Sequence, residues 1–259
     1  MFWYLVGLIA TDGCLSGNGR TVCIVAKDPK YLERLRSALA LRCTVRPVSN
    51  GRGQISHRLQ IGSRVLYDKL LVIGLTPRQL LTLGRLDVPD MYFDHFMRGV
   101  IDGDGNIRRW RHPTNGHEQW VVRVYGSSQP FLSWIRETIQ RLWAVEGKIH
   151  ESIDTTGRQH PRYTLKFGKL AARVILSKCY VSNVLALDQK AVLAAECLAS
   201  PVGWSNSQTV KTPGAWRTWV YEHHYPRHVD HSDRVSETDG IWAGVSELVD
   251  DRGLKPLVP

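Results

Sequence analysis

The chain has 259 residues, 43% of them hydrophobic, and carries a net charge of +10. That length allows one large or two small domains with a real core, and the charge points to a polyanionic partner. No apolar run approaches the roughly 20 residues that span a bilayer, and the five cysteines are odd in number, widely spaced and form no CxxC pair, so neither a zinc ribbon nor a disulfide framework is indicated.

The charge is uneven. Residues 199–259 hold six basic and eight acidic side chains, a net of −2, which leaves 28 basic and 16 acidic, a net of +12, in residues 1–198. The apolar start MFWYLVGLIA lacks the basic flank of a secretory signal, and cysteines without a disulfide pattern suit a reducing compartment. The expected location is cytoplasmic, or an organellar matrix for an organelle-encoded chain.

In chain order, residues 2–12 read as an apolar helix ending LVGLIATDG. It stops at Asp12, with Gly13 placed for a left-handed cap. Small residues four apart, Gly7 and Thr11, share one helix face and allow another backbone to approach. CLSGNGR follows as a glycine-rich turn. Residues 21–27 form a β-branched strand pattern. Asp28-Pro29 opens a helix with a good cap and a proline at the first position, and Leu32, Leu35 and Leu39 then share a face. Residues 44–49 read as a short strand interrupted by Pro47. Residues 55–61 alternate, with Ile55, Leu59 and Ile61 on one side and Ser56, Arg58 and Gln60 on the other. The helix RVLYDKLLVIGL closes the unit.

The same order then returns. The stretch MRGVIDGDG ends at Asp104 and Gly105, again with small residues four apart, Gly99 and Gly103. Residues 118–125 form a strand with Gln119, Arg123 and Tyr125 on one side. Gln129-Pro130 opens a helix, and strands are expected over 148–153 and 162–167. The last of these presents Arg162, Thr164 and Lys166 on one face. KLAARVILSKCY matches RVLYDKLLVIGL, and duplication is the simplest explanation. The two halves differ between motif and second helix: 16 residues separate Asp12 from Asp28, against 25 from Asp104 to Gln129. The extra length, NIRRWRHPTNGH, is expected to be a loop whose Arg108, Arg109, Trp110 and Arg111 make a basic and aromatic tip suited to phosphate and base contact.

Asp12 and Asp104 are at the disfavoured ends of their helices, where the backbone dipole is negative. A divalent cation is the natural offset for facing carboxylates. The outward strand residues are of types that bond phosphates and base edges, and a two-stranded ribbon can enter a major groove. Lys27 and Arg46 add to this set from the same half.

The paired nonapeptides resemble the LAGLIDADG motif, and the resemblance to LAGLIDADG homing endonucleases of the single-chain, two-motif type covers residues 1–198. It implies an α+β fold of two pseudo-twofold-related αββαββα repeats, with saddle-shaped antiparallel sheets and two central packed motif helices meeting at Gly7, Thr11, Gly99 and Gly103. The expected division is 1–95 for the first repeat, 96–198 for the second and 199–259 for a loosely ordered extension. The implied activity is Mg²⁺-dependent cleavage of double-stranded DNA at a long, nearly asymmetric site. The chain would act as a monomer with internal pseudo-dimer symmetry, holding two or more ions, with Mn²⁺ as a substitute. The implied metal set is Asp12 and Asp104 with the neighbouring positions Ala10, Asp102, Gly13 and Gly105. Ala10 departs from the family's Asp at the sixth position, which Asp102 keeps. A lysine near the family's site polarises the attacking water. VLALDQKAVLA places Lys190 there in the second half, whereas TPRQLLT places Gln79 at that position in the first. Two other readings stay open: an RNA maturase that assists intron splicing, and a DNA-binding protein that has lost cleavage. His223, His224, His228 and His231 in the extension match no standard ligand spacing.

Overall fold

The computed structural model describes residues 1–49, 53–77, 79, 81–114, 116–152 and 161–201. The histidine-rich part of the extension lies outside the described residues, as does Ile153.

The first repeat runs α1 (Phe2–Thr11), β1 (Gly13–Leu15), β2 (Thr21–Ala26), α2 (Pro29–Ala38), β3 (Val45–Ser49), β4 (Ile55–Gly62) and α3 (Arg64–Ile73). After a single 3₁₀ turn (Asp90–Tyr92), the second repeat runs α4 (Phe93–Asp102), β5 (Gly105–Arg111), β6 (Glu118–Gly126), α5 (Gln129–Trp143), β7 (Lys148–Ser152), β8 (Arg162–Phe167) and α6 (Lys169–Cys179). A further helix, α7 (Asp188–Ala199), follows. Each repeat builds one four-stranded antiparallel sheet, ordered β1-β2-β4-β3 and β5-β6-β8-β7. The α+β duplication read from the sequence is therefore observed.

Local signals explain several element ends. Asp28 caps α2 by accepting from Lys30 N at 2.9 Å, with Pro29 at the first helical position. The structural counterpart of Asp28 is Ser128, not Gln129: its hydroxyl accepts from Phe131 N and donates to the Leu83 carbonyl. The inserted length between the halves is thus eight residues rather than nine. Gly74 ends α3 at φ 109°, a left-handed cap that requires glycine.

Three expectations need correcting. Cys14 and Leu15, read as turn, belong to β1, which pairs with β2 through Cys14↔Cys23 and Leu15↔Val22. The segment after Asp104, read as a loop, is strand β5 as far as Arg111, and β6 begins at Glu118. Gly13 and Gly105 are not left-handed caps, since neither has positive φ. Each opens a strand, and a Cβ there would run into Ile9 and Ile101 of the preceding helix. Close approach, not backbone conformation, demands glycine at both.

The two sheets wrap one continuous apolar core. Residues 4–10 of α1 are all buried, as are Phe93, Phe96 and Met97–Asp102 of α4. These two helices cross at their glycines. A Cβ on Gly7 would be driven into the Phe96 carbonyl oxygen and lie 3.0 Å from the Gly99 Cα. A Cβ on Gly99 would meet the Tyr4 carbonyl oxygen and lie 3.0 Å from the Gly7 Cα. The same crossing continues downward, where a Cβ on Gly103 would strike Thr11 Oγ1 and lie 3.4 Å from Asp12 Oδ2. Thr11 itself folds its hydroxyl back on the Gly7 and Leu8 carbonyls. Among the described residues no helix is long and apolar enough to cross a membrane.

Candidate functional site

Because α1 and α4 touch along their whole small-residue seam, their C-termini emerge side by side. Asp12 follows α1 directly and Asp104 lies two residues beyond α4. Neither carboxylate makes a hydrogen bond or an ion pair among the described residues. Asp12 is exposed and Asp104 half-buried. Low-dielectric surroundings push the Asp12 carboxyl up to about 6, with the Asp104 charge adding to the rise and Lys190 opposing it. Desolvation also raises Asp104, against the charges of Lys190 and Arg162. Two carboxylates at negative helix ends, both with raised proton affinity, make a site short of positive charge.

Lys190 answers part of that shortage from the first turn of α7. Its ammonium donates to the carbonyl oxygens of Ile101, Asp102 and Gly103 at 2.5, 2.6 and 3.1 Å, so its three protons cap the C-terminus of α4. Burial lowers its pKa, opposed by Asp102, Asp12 and Asp104. Gln79 does the same task at α1: its Nε2 donates to the Ile9 carbonyl at 3.1 Å and its Oε1 accepts from Thr76 N. Ile9 and Ile101 are equivalent positions of the two motifs, so the pairing of Gln79 with Lys190 holds in three dimensions. The first half caps its helix with a neutral amide where the second uses a cation.

Asp102 and Ala10 were expected in the metal set, and the structure corrects this. The Asp102 carboxylate is buried and already accepts three hydrogen bonds, from Tyr180 OH at 2.7 Å, Tyr4 OH at 2.6 Å and Leu187 N at 2.8 Å. It ties α1, the end of α6 and the start of α7 to α4. Ala10 has no side-chain donor and packs in the core. On the same face of α4 as Asp102, Arg98 is 1% exposed, lies over the Tyr4 ring at 5.0 Å and donates to the Cys179 and Leu185 carbonyls. Together they clamp the connector that delivers Lys190. Tyr4, Tyr180 and Arg98 were missed in the sequence, since nothing local shows that residues 80 positions apart converge. Tyr4 OH keeps its bond to Tyr31 OH at 2.7 Å, but Asp102→Ala should leave Tyr180 OH and Leu187 N short of a partner inside the core, at about 1–3 kcal/mol for each unsatisfied group. A lowered unfolding midpoint in urea is the expected result, with Tyr180→Phe costing less.

Strand register decides which polar residues face outward. On β4, Ser56, Arg58 and Gln60 oppose the core side chains Leu59 and Ile61, while Ile55 is 66% exposed at the start of the strand. Arg46 lies directly opposite Arg58. In the second sheet Gln119, Arg123 and Tyr125 of β6 and Arg162, Thr164 and Lys166 of β8 occupy one face, as expected. Lys27 is exposed just past β2. The β5 arginines, expected to act together, are divided by the pleat. Arg108 and Trp110 pair with Val121 and Gln119 on the outward face, whereas Arg109 and Arg111 pair with Trp120 and Glu118 on the other. Arg109 is bound to Glu118 at 2.6 Å and to Glu196 of α7 at 3.5 Å, and lies over the Trp120 ring. It fastens α7 to the sheet and is withdrawn from the outward set. Lys148 and His150 of β7 join that set, opposite Lys166 and Thr164, in a strand too short for its polarity to show.

Among the described residues no group of three or more ligating side chains exists. Asp12 and Asp104 still suit a hard divalent cation that keeps water and takes further oxygens from a phosphate. Two carboxylates with no hydrogen-bond or ion-pair partner among the described residues supply the charge, and the helix ends supply the reason for it.

No family model matches the chain, and no curated protein matches it. Among solved structures, the homing endonuclease I-WcaI bound to its DNA recognition sequence aligns with a TM-score of 0.52 and 11% identity, over 77% of this chain and 85% of that one. Full-length DUF199/WhiA from Thermatoga maritima aligns at 0.47 and 13% identity, over 99% and 75%. The LAGLIDADG homing endonuclease I-GzeII in complex with its DNA target aligns at 0.44 and 8% identity, over 97% and 99%. The likeness to I-WcaI is a likeness of fold, and it meets the resemblance drawn from the two motifs.

Proposed function

We propose that this chain, which carries the LAGLIDADG homing-endonuclease fold, is a site-specific DNA endonuclease. It would act as a monomer and hydrolyse both strands of a duplex with Mg²⁺ or Mn²⁺. The carrying observation is the pair Asp12 and Asp104: two carboxylates without partners among the described residues, brought together at the ends of packed helices and flanked by two sheets with cationic outward faces. Asp12 and Asp104 would hold the metal, which when bound lowers the pKa of a water and stabilises the leaving oxygen. The chain's own part is to grip the duplex with its strands, to set both carboxylates at one place through the Gly7–Gly99 crossing, and to offset their charge with Lys190.

One observation favours a second reading, a DNA-binding protein without cleavage. Lys190 directs its protons to carbonyl oxygens, and its counterpart Gln79 is neutral, so neither is free to act on a water in this arrangement. A supercoiled plasmid carrying the intron-free sequence around the gene decides between them. Linear product that requires Mg²⁺ supports the endonuclease, with a nicked intermediate accumulating first because the two halves cap their helices differently. Tight binding without any cut in Mg²⁺ or Mn²⁺ supports the second reading. Stronger binding to structured RNA than to any duplex favours the maturase.

A further inference from the structure

The two sheets can be aligned row by row from their registers. The core-facing row Gly13–Ile24–Leu59–Val45 of the first sheet corresponds to Gly105–Val124–Leu165–Ile149 of the second. On one side of this anchor is the row that starts at each carboxylate. Tyr125 N donates to the Asp104 carbonyl at 3.2 Å, so the second sheet's row is Asp104, Tyr125, Thr164, His150. The equivalent row in the first sheet is Asp12, Val25, Arg58, Arg46. On the other side of the anchor, toward the hairpin tips, the first sheet has Cys14, Cys23 and Gln60, and the second has Asn106, Arg123, Lys166 and Lys148.

The cations are therefore out of step. The first sheet holds its pair, Arg58 and Arg46, in the carboxylate row, where the second sheet has no Arg or Lys. The second sheet holds three cations in the next outward row, where the first is uncharged. Two residues along a strand separate these rows, roughly 7 Å. Arg123, Lys166 and Lys148 sit directly opposite one another on three adjacent strands, and no carboxylate pairs with any of them among the described residues. Like charges directly opposite destabilise a sheet, so the row costs stability in the free protein and suits a bound polyanion.

We infer that Arg123, Lys166 and Lys148 form a phosphate-gripping ladder, and that the duplex is held one row further from the carboxylates on the second side than on the first. This rests on the DNA reading above and adds which backbone contacts anchor each flank. Exposed cations on the helices, such as Lys30 and Lys69, have no part in it.

The experiment is binding of fluorescent duplex DNA by the full chain across a salt series. Each lost phosphate contact flattens the log–log slope by about 0.9, so the triple variant Arg123→Gln, Lys148→Gln, Lys166→Gln should flatten it by nearly 3. Its affinity loss between 50 and 200 mM salt should then be about 40-fold smaller than that of wild type. Lys30→Gln with Lys69→Gln should leave the slope unchanged. Without DNA at low salt, the triple variant should melt no lower than wild type, because it relieves repulsion, and this also shows that it folds. Phosphate ethylation interference around the cut should place the blocking phosphates further from it on one flank, and the triple variant should lose that flank. A steep wild-type slope with an unchanged slope in the triple variant overturns the ladder and leaves the DNA reading standing. Equal spacing on both flanks overturns the stagger. A wild type that binds no duplex overturns both.

Discussion

Gly7→Leu or Gly99→Leu is expected to abolish folding, and even alanine at either position should cost more than it gains. On an ordinary helix, glycine to alanine stabilises by about 0.5–1 kcal/mol. Here the sign reverses, because the new carbon meets the Phe96 carbonyl oxygen from Gly7, or the Tyr4 carbonyl oxygen from Gly99. Those atoms are backbone and cannot swing aside. Overpacking of this kind costs about 1–3 kcal/mol or more, and each kcal/mol lowers the melting temperature by about 2–4 °C in a chain of this size. Alanine variants should therefore melt several degrees lower, and leucine variants should not give a cooperative transition at all. Gly62→Ala, at the end of strand β4 with nothing near its Cβ, is a control in which the added carbon meets no obstacle. Thermal melts that leave either alanine variant at or above wild type would show that the helices do not cross at these glycines.

Asp12→Asn or Asp104→Asn is expected to lower the cleavage rate by at least about 100-fold, the scale for losing one charge-stabilising group, while duplex affinity stays within a few fold. The same substitution has a second, opposite signature in the free protein. The Asp12 carboxyl is raised to about 6 from an ordinary value of 3.8, so folding disfavours its charged form. The folded state then binds more protons than the unfolded state between those values, and stability falls as pH rises through this window. Asp12→Asn removes that loss. Without divalent metal its melting temperature should exceed wild type at pH 7, and the gain should shrink as pH falls from 6 toward 4. Asp12 is exposed, so water screens the effect and its size should be of order 1 kcal/mol. Added Mg²⁺ should stabilise wild type and not the variant, by mass action on the folded state alone. A variant that cleaves at the wild-type rate, or that is no more stable at pH 7 without metal, would show that these carboxylates are not a charge-deficient pair.

The sequence by itself determined the duplication, the two motif helices, the small residues that let them touch and the carboxylates at their ends. These are all signals carried within a dozen residues: a helical period, glycines four apart, an Asp-Gly stop. It also placed the outward residues of β4, β6 and β8, because strand alternation has a period of two and needs no partner to read. Only the tertiary structure decided how the polar residues are used. Asp102 looks like Asp104 in the motif, yet one helical turn's geometry aims it at Tyr4, Tyr180 and Leu187 N, where its oxygens are already occupied. Arg108 and Arg109 are adjacent in the chain, but the pleat sends one outward and the other to Glu118 and Glu196. The stagger between Arg58–Arg46 and Arg123–Lys166–Lys148 exists only in the pairing of strands from distant parts of the chain. Local pattern fixes which face a side chain is on, whereas what waits there depends on long-range register, and no stretch of sequence holds both partners.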